Sequence, residues 1–160
     1  MIVMGITQGM QPIAGYNYGA QQYNRVNEVL KLAIWGATAM TTLTFLVGEL
    51  MPELTVSIFT TDEVLIRLAA DGFRIAVLVF PIVGFQMVTS NFFQSIGMAN
   101  KAIFLSLTRQ LLFLLPCLII LPKFMGAAGI WWSMPISDFL ASMVAAILLY
   151  KQYQAFKNKI

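Results

Sequence analysis

The sequence predicts an all-α fold, a polytopic transmembrane helical bundle, on three observations. Hydrophobic residues make up 59% of the 160 residues and charged residues only 11%, whereas an ordinary soluble domain is about 25% charged. The chain also contains four long apolar runs, each about as long as the ~20 residues that cross a hydrocarbon core. Most charged residues fall in the segments between these runs. Together these features indicate one membrane domain over residues 1–160.

The first segment, residues 1–20, combines small residues, amides and tyrosines in an otherwise apolar stretch. Two pairs of glycines lie four residues apart in it, Gly5 with Gly9 and Gly15 with Gly19. On a helix, each pair predicts a flat strip against which another helix packs closely. We interpret the segment as the end of a helix that lines a cavity.

Pro12 lies between the two glycine pairs and predicts a kink, because it lacks an N–H group and clashes with the carbonyl four residues earlier. Polar backbone freed by the kink is tolerated in lipid only against protein or water. Four polar side chains of the segment likewise need protein or water as hydrogen-bond partners: Gln8, Gln11, Tyr16 and Asn17. They are therefore candidate substrate-binding residues, and the alternative for each is a tightly packed helix end.

The four apolar runs predict transmembrane helices at residues 29–51, 75–96, 102–122 and 128–150. Pro52 should end the first helix, and Pro81 should kink the second in its first half. The third is interrupted only by Arg109 and the fourth only by Asp138. The second half of the second helix carries further candidate substrate-binding amides: Gln86, Asn91 and Gln94.

Basic residues predict the orientation of these helices. If the connection after residue 20 is cytoplasmic, alternation places most basic residues at inner ends: Arg25, Lys31, Lys101, Lys151, Lys157 and Lys159. Lys123 is then the only basic residue in a short outer turn. This positive-inside pattern predicts a multi-pass protein of the cell inner (plasma) membrane, with residues 151–160 as a cytoplasmic tail.

The segment before the second transmembrane helix predicts an outer amphipathic lead-in at residues 62–74. Asp62 and the residues beside it are favourable at a helix N-terminus. Arg67, Asp71 and Arg74 recur at helical spacing, so we expect Asp71 to bridge the two arginines. The functional alternative is an outer gate.

Several function classes are disfavoured. The chain has no histidine and one cysteine, Cys117, so neither a His/Cys metal site nor a disulfide framework is expected. No catalytic or phosphate-binding motif is present, which argues against an enzyme and predicts no cofactor. Nucleic acid is not an expected partner because the basic residues are scattered singly. Kinked helices with intramembrane polar groups favour transport.

Three stretches resemble the multidrug and toxic compound extrusion (MATE) family of antiporters. QGMQPIAGYNYGAQQYNRV, from Gln8 to Val26, resembles the signature of the family's eighth helix. FFQSIGMANKAIFLSLTRQLLFLLP, from Phe92 to Pro116, is similar to its tenth and eleventh helices. GAAGIWWSMPISD, from Gly126 to Asp138, resembles its glycine-rich turn and the start of its twelfth helix.

The resemblance implies a transporter of twelve helices in two lobes, which exports amphipathic or cationic small molecules in exchange for protons or sodium. This chain would be most of the second lobe, from the eighth helix to the C-terminus, and its partners would be the missing N-terminal lobe and the lipid bilayer. In the family, carboxylates of the first, seventh and tenth helices are tied to cation coupling. The helix that resembles the tenth has no acid here. This disfavours a sodium site that uses an acid on that helix and leaves open a proton site in the missing lobe.

Two other functions compete with drug export. A flippase for lipid-linked sugars would share the architecture but should have a more basic cavity. A small membrane subunit that only packs against partners would explain the glycine strips and the missing lobe.

Arg109 and Asp138 are the two charges inside the predicted third and fourth helices. At a rise of about 1.5 Å per residue, their levels in the membrane differ by about 5 Å, so neighbouring antiparallel helices would let them form an ion pair. Alternatively, Arg109 extends to the inner surface while hydroxyls such as Ser137 and Ser142 hold Asp138. A third reading makes Asp138 a protonatable group in ion coupling, because an intramembrane acid is a site candidate by default.

Overall fold

The computed structural model describes residues 1–157, which form a helical bundle with no strand in that range. Within these described residues, eight α-helices and one π-helical segment follow one another: α1 (Ile2–Gly19), α2 (Tyr23–Leu50), α3 (Pro52–Ser57), α4 (Glu63–Val77), α5 (Phe80–Ser95), α6 (Ala99–Leu107), the π segment (Thr108–Leu114), α7 (Leu115–Met125) and α8 (Ala127–Lys157). The predicted fold class is therefore confirmed.

Among residues 1–157, three continuous helical stretches are long and apolar enough to cross a membrane: α2, α8, and the run from α6 through the π segment to α7. A fourth span is available if α4 and α5, which meet at a 52° bend, are taken as one. These four follow the order of the sequence-predicted spans. Their limits differ from the predicted ones. The first span was predicted to start at residue 29, but α2 begins at Tyr23. The second was predicted to start at residue 75, but it begins at Glu63 if α4 is included.

Prolines shape three of the helices differently. The α4–α5 bend falls just before Pro81, which has no N–H to donate to the carbonyl of Val77 and so cannot continue the hydrogen bonding of α4. In contrast, α1 continues through Pro12 as one helix from Ile2 to Gly19, so the kink predicted there does not divide it. The π segment ends two residues before Pro116, and the N–H of Leu115 donates to the carbonyl of Gln110, five residues earlier.

The core lies where α1, α2, α5 and α8 meet, and its buried side chains include Met10, Val26, Phe92, Ala145 and Phe156. The helices α2 and α5 are in close contact at Gly84. A Cβ atom there would lie 2.9 Å from the backbone oxygen of Ala37, so only glycine permits this packing. Close packing of this kind is common where helices associate in membranes.

The predicted lead-in at residues 62–74 is helical and forms most of α4. Asp62 caps it, since its Oδ1 accepts hydrogen bonds from the N–H groups of Val64 at 2.9 Å and Leu65 at 3.2 Å. The expected bridge from Asp71 to Arg67 and Arg74 is wrong. Among residues 1–157, the one ion pair joins Arg109 and Asp138, and Asp71 contacts neither arginine in this way. Exposed pairs of this kind gain too little in water to hold one geometry.

Residues 151–157, predicted as the start of a tail, continue α8 and are partly built into the bundle. Gln152 is 5% exposed and Phe156 2% exposed, while their neighbours Lys151 and Tyr153 are exposed. The remaining residues of the predicted tail, 158–160 with Lys159, lie outside the described residues.

Candidate functional site

The candidate site starts from the contact between α1 and α5. Gln11 donates a hydrogen bond from Nε2 to Oδ1 of Asn91 at 3.2 Å. One turn further along both helices, Gly15 faces Ser95, whose backbone oxygen would lie 2.9 Å from a Cβ atom at Gly15. Both contacts join residues 80 positions apart, so the two helices run parallel and in register here. This places two predicted site residues from distant parts of the chain together.

Three other predicted residues of these helices are exposed. Gln8 and Tyr16 project from α1, with Tyr16 77% exposed, and Gln94 projects from α5. Gln8 lies one turn from Gln11 on α1, as Gln94 does from Asn91 on α5, and side chains at this spacing are neighbours on a helix. The Gln11–Asn91 contact therefore lies beside an open surface that carries amides and a tyrosine.

Asn17 and Gln86 lie apart from this open surface, because both side chains are buried, at 6% and 4% exposure. Asn17 is nine residues from Gln8, which at about 100° per residue puts it on the opposite side of α1. Its Nδ2 donates to the carbonyl of Ile13 at 2.8 Å, and its Oδ1 is buried with no partner among the described residues. In this chain Asn17 faces the interior of the bundle.

The glycine pairs of α1 pack less than predicted. Only Gly15 has a close neighbour, while a Cβ atom at Gly5, Gly9 or Gly19 would meet no atom within 4 Å among the described residues. The strip formed by Gly5 and Gly9 is therefore open in the described part of the chain.

The second candidate site joins the π segment to α8. Arg109 donates from Nε to Oδ1 of Asp138 at 2.7 Å, and their side chains are 33% and 10% exposed. The π segment and α8 pack against each other along this stretch. Arg109 lies in the π segment, and π-helical turns are frequent at functional sites.

The hydroxyls near Asp138 do not hold its carboxylate. Ser137 donates to the carbonyl of Met134 at 2.8 Å. Ser142 and Thr108 have buried hydroxyl oxygens with no partner among the described residues. The arrangement in which serines hold Asp138 while Arg109 turns away is therefore not the one observed.

The end of α8 makes contacts that the sequence reasoning missed. Lys101 donates to Oε1 of Gln152 at 2.9 Å and lies 5.1 Å from the ring centre of Phe93. Phe156 packs against Tyr18, Tyr23 and Phe92, with ring centres 5.2–6.5 Å apart. The four-residue spacing of Gln152 and Phe156, which puts both on one helix face, was the available signal.

The profile of the MatE family matches residues 1–120, three quarters of the chain. The chain belongs to the MatE family. This confirms the resemblance noted in the sequence, and the family is one of transporters.

Solved structures of this family share the fold over nearly the whole chain. The MATE multidrug transporter DinF-BH, solved in complex with a small-molecule ligand, is 40% identical, with a TM-score of 0.89 over 96% of this chain and 34% of that protein. An outward-facing multidrug resistance MATE family transporter is 21% identical, with a TM-score of 0.89 over 98% of this chain and 36% of that protein. At 21% identity, the match to the outward-facing transporter shows only that the fold is shared.

Among curated proteins, the multidrug export protein MepA of Staphylococcus aureus (strain NCTC 8325 / PS 47) is 23% identical over 154 residues. The match covers 94% of this chain and 33% of MepA. The chain thus spans about a third of the length of the relatives it matches. These relatives are named as multidrug exporters or transporters.

Proposed function

We propose that this MatE chain forms most of the C-terminal lobe of a secondary transporter that exports amphipathic or cationic small molecules in exchange for protons or sodium. Support comes from relatives named as multidrug transporters, one of them solved with a small molecule bound. Neither the flippase nor the packing subunit draws support from these relatives. Transport of this kind needs no covalent chemistry and no cofactor from the chain.

The observation that carries the proposal is the hydrogen bond from Gln11 to Asn91 beside the open surface of α1 and α5. Amides both donate and accept hydrogen bonds, and a tyrosine adds an aromatic face. Such a surface suits amphipathic compounds of varied shape, because a few polar groups orient a ligand while apolar contact binds it. Gln8, Tyr16 and Gln94 extend the same wall.

The wall is half of a cavity. Alternating access in such transporters rocks one repeat against another around a site at their interface. The strip at Gly5 and Gly9, which meets nothing in the described residues, suits close packing against the other lobe. The chain by itself is therefore not sufficient for transport.

Ion coupling is proposed to rest on carboxylates outside this chain. No acid lies on α5, and Asp138 is occupied by its contact with Arg109. The pairing supports a structural role for both residues over a coupling role for Asp138.

The proposed location is the cell inner membrane, with several passes and the C-terminus in the cytoplasm. The basic residues at the α1–α2 turn, at the start of α6 and at the end of α8 support this orientation by the positive-inside rule.

Efflux from proteoliposomes tests the proposal. The full protein that carries this chain should expel a fluorescent organic cation such as ethidium when a proton or sodium gradient is applied, and residues 1–160 alone should not. Replacing both Gln11 and Asn91 by Leu should reduce efflux, while Thr44→Val, at an exposed hydroxyl on α2, should not. Ion-driven export by residues 1–160 alone, or no export by the full protein under either gradient, would refute it.

A further inference from the structure

A groove between α2, α5 and α8 includes none of the residues of the proposed transport path. Its volume is about 310 Å³. Leu30, Phe92 and Phe156 form its buried floor. It lies at the end of the bundle where α2 begins and α8 ends.

The groove changes character along its length. Toward the middle of α2 and α8 its walls are apolar, with Ile34, Phe85 and Ala146. Toward the ends of these helices its rim carries Asn27, Lys31 and Tyr153 instead, and the tyrosine is 44% exposed. From Asn27 to Ile34 the groove extends about 10 Å along the helix axis. Tyrosines are enriched at the level of lipid headgroups.

Two cations lie at the polar end, and neither has an acidic partner within residues 1–157. Lys31 is exposed on the rim. Lys101 is fixed beside the groove by its hydrogen bond to Gln152, a lining residue. Neither forms an ion pair among the described residues. At this end of the bundle, residues 19–31, 97–101 and 150–157 contain one acid, Glu28, and five basic residues: Arg25, Lys31, Lys101, Lys151 and Lys157.

We propose that this groove binds one anionic phospholipid, with its headgroup at Lys31 and Asn27 and an acyl chain along Ile34, Phe85 and Ala146. The apolar stretch matches an acyl chain in the hydrocarbon, and the lysines match an anionic headgroup at its boundary. The lipid bridges α2 and α8, whose residues line the groove, and touches neither Gln8 nor Tyr16, which are not among the lining residues. The inference goes beyond the proposed transport function.

Native mass spectrometry of the full detergent-purified protein tests this with phosphatidylglycerol and phosphatidylcholine of identical acyl chains. The wild-type protein should retain phosphatidylglycerol preferentially, and Lys31→Gln should reduce that preference about fivefold, the effect of about 1 kcal/mol per basic residue near a membrane surface. Lys123→Gln, at the opposite end of the bundle, is the matched charge control and should leave the preference unchanged.

A second pair of variants tests the acyl-chain part of the groove. Ala146→Trp should fill it and reduce retention of phosphatidylglycerol, whereas Ala39→Trp, at an exposed position of α2 outside the groove, should not. Equal retention of the two lipids by the wild type, as expected if another part of the protein covers the groove, would overturn the proposal. So would an unchanged preference in Lys31→Gln or wild-type retention in Ala146→Trp.

Discussion

Arg109 and Asp138 join two segments of the chain through a hydrogen-bonded ion pair, with Nε 2.7 Å from Oδ1. The two ends of the pair differ in their surroundings. The carboxylate is largely enclosed, whereas a third of the arginine side chain is exposed. Removing one partner therefore has a different cost from removing the other.

Arg109→Gln should destabilise the protein more than Asp138→Asn. The first leaves an enclosed carboxylate without its cation, at a cost of about 3 kcal/mol. The second leaves an arginine that can extend toward water. Thermal unfolding in detergent measures both, with Arg67→Gln on the exposed face of α4 as control. The exchange Arg109→Asp with Asp138→Arg should recover part of the loss. Failure to recover, together with loss of the pH dependence of efflux in Asp138→Asn, would favour a proton site.

Gly15→Ala and Gly9→Ala on α1 should have opposite effects. The new Cβ at Gly15 would lie 2.9 Å from the backbone oxygen of Ser95, so α1 and α5 must move apart, at a net cost of about 1 kcal/mol. Gly9 has open space around it, and alanine there should add helix propensity.

Melting temperatures of residues 1–160 in detergent measure this difference. The same pair in the full protein is a further check, because Gly9→Ala should become harmful if the other lobe packs on the Gly5–Gly9 strip. Equal melting temperatures for the two variants of the isolated chain would contradict the α1–α5 contact.

Single cysteines on a Cys117→Ala background should distinguish the two sides of α1. We expect cysteines at Gln8 and Tyr16 to react with a membrane-impermeant thiol reagent in the full protein, because both positions lie on the proposed wall of a water-filled cavity. A cysteine at Asn17, which is buried, should be protected, and one at Gln11 should react slowly. Trp35, exposed on α2, is the control for a lipid-facing position and should not react. Protection at both Gln8 and Tyr16 would assign them to packing.

Phe156→Ala should destabilise the bundle by about 3 kcal/mol, because it removes a buried aromatic ring from contact with Tyr18, Tyr23 and Phe92. Tyr153→Ala, at a neighbouring but exposed position, should cost much less. Thermal unfolding of both variants measures the difference. Equal effects would show that residues 151–157 do not dock against α1, α2 and α5.

The membrane class, the helical fold and the family followed from the sequence, because each depends on local properties of the chain. Long apolar runs need no tertiary information to predict helices in lipid, where the backbone must satisfy its own hydrogen bonds. Asp62 as a helix cap and the bend near Pro81 are local in the same sense. The sequence also named Gln11 and Asn91 as polar residues that needed partners.

Only the tertiary structure decided which partners these residues have. The Gln11–Asn91 bond depends on the register of two parallel helices, and the burial of Asn17 depends on which face of α1 meets the bundle. Glycine spacing could not show that Gly15 packs while Gly9 stays open. The docking of Phe156 was missed because charges at 151 and 157 suggested a solvated tail, although a helix can expose those positions and bury the face between them. Packing between distant segments depends on the rotation and approach of whole helices, which no local pattern encodes.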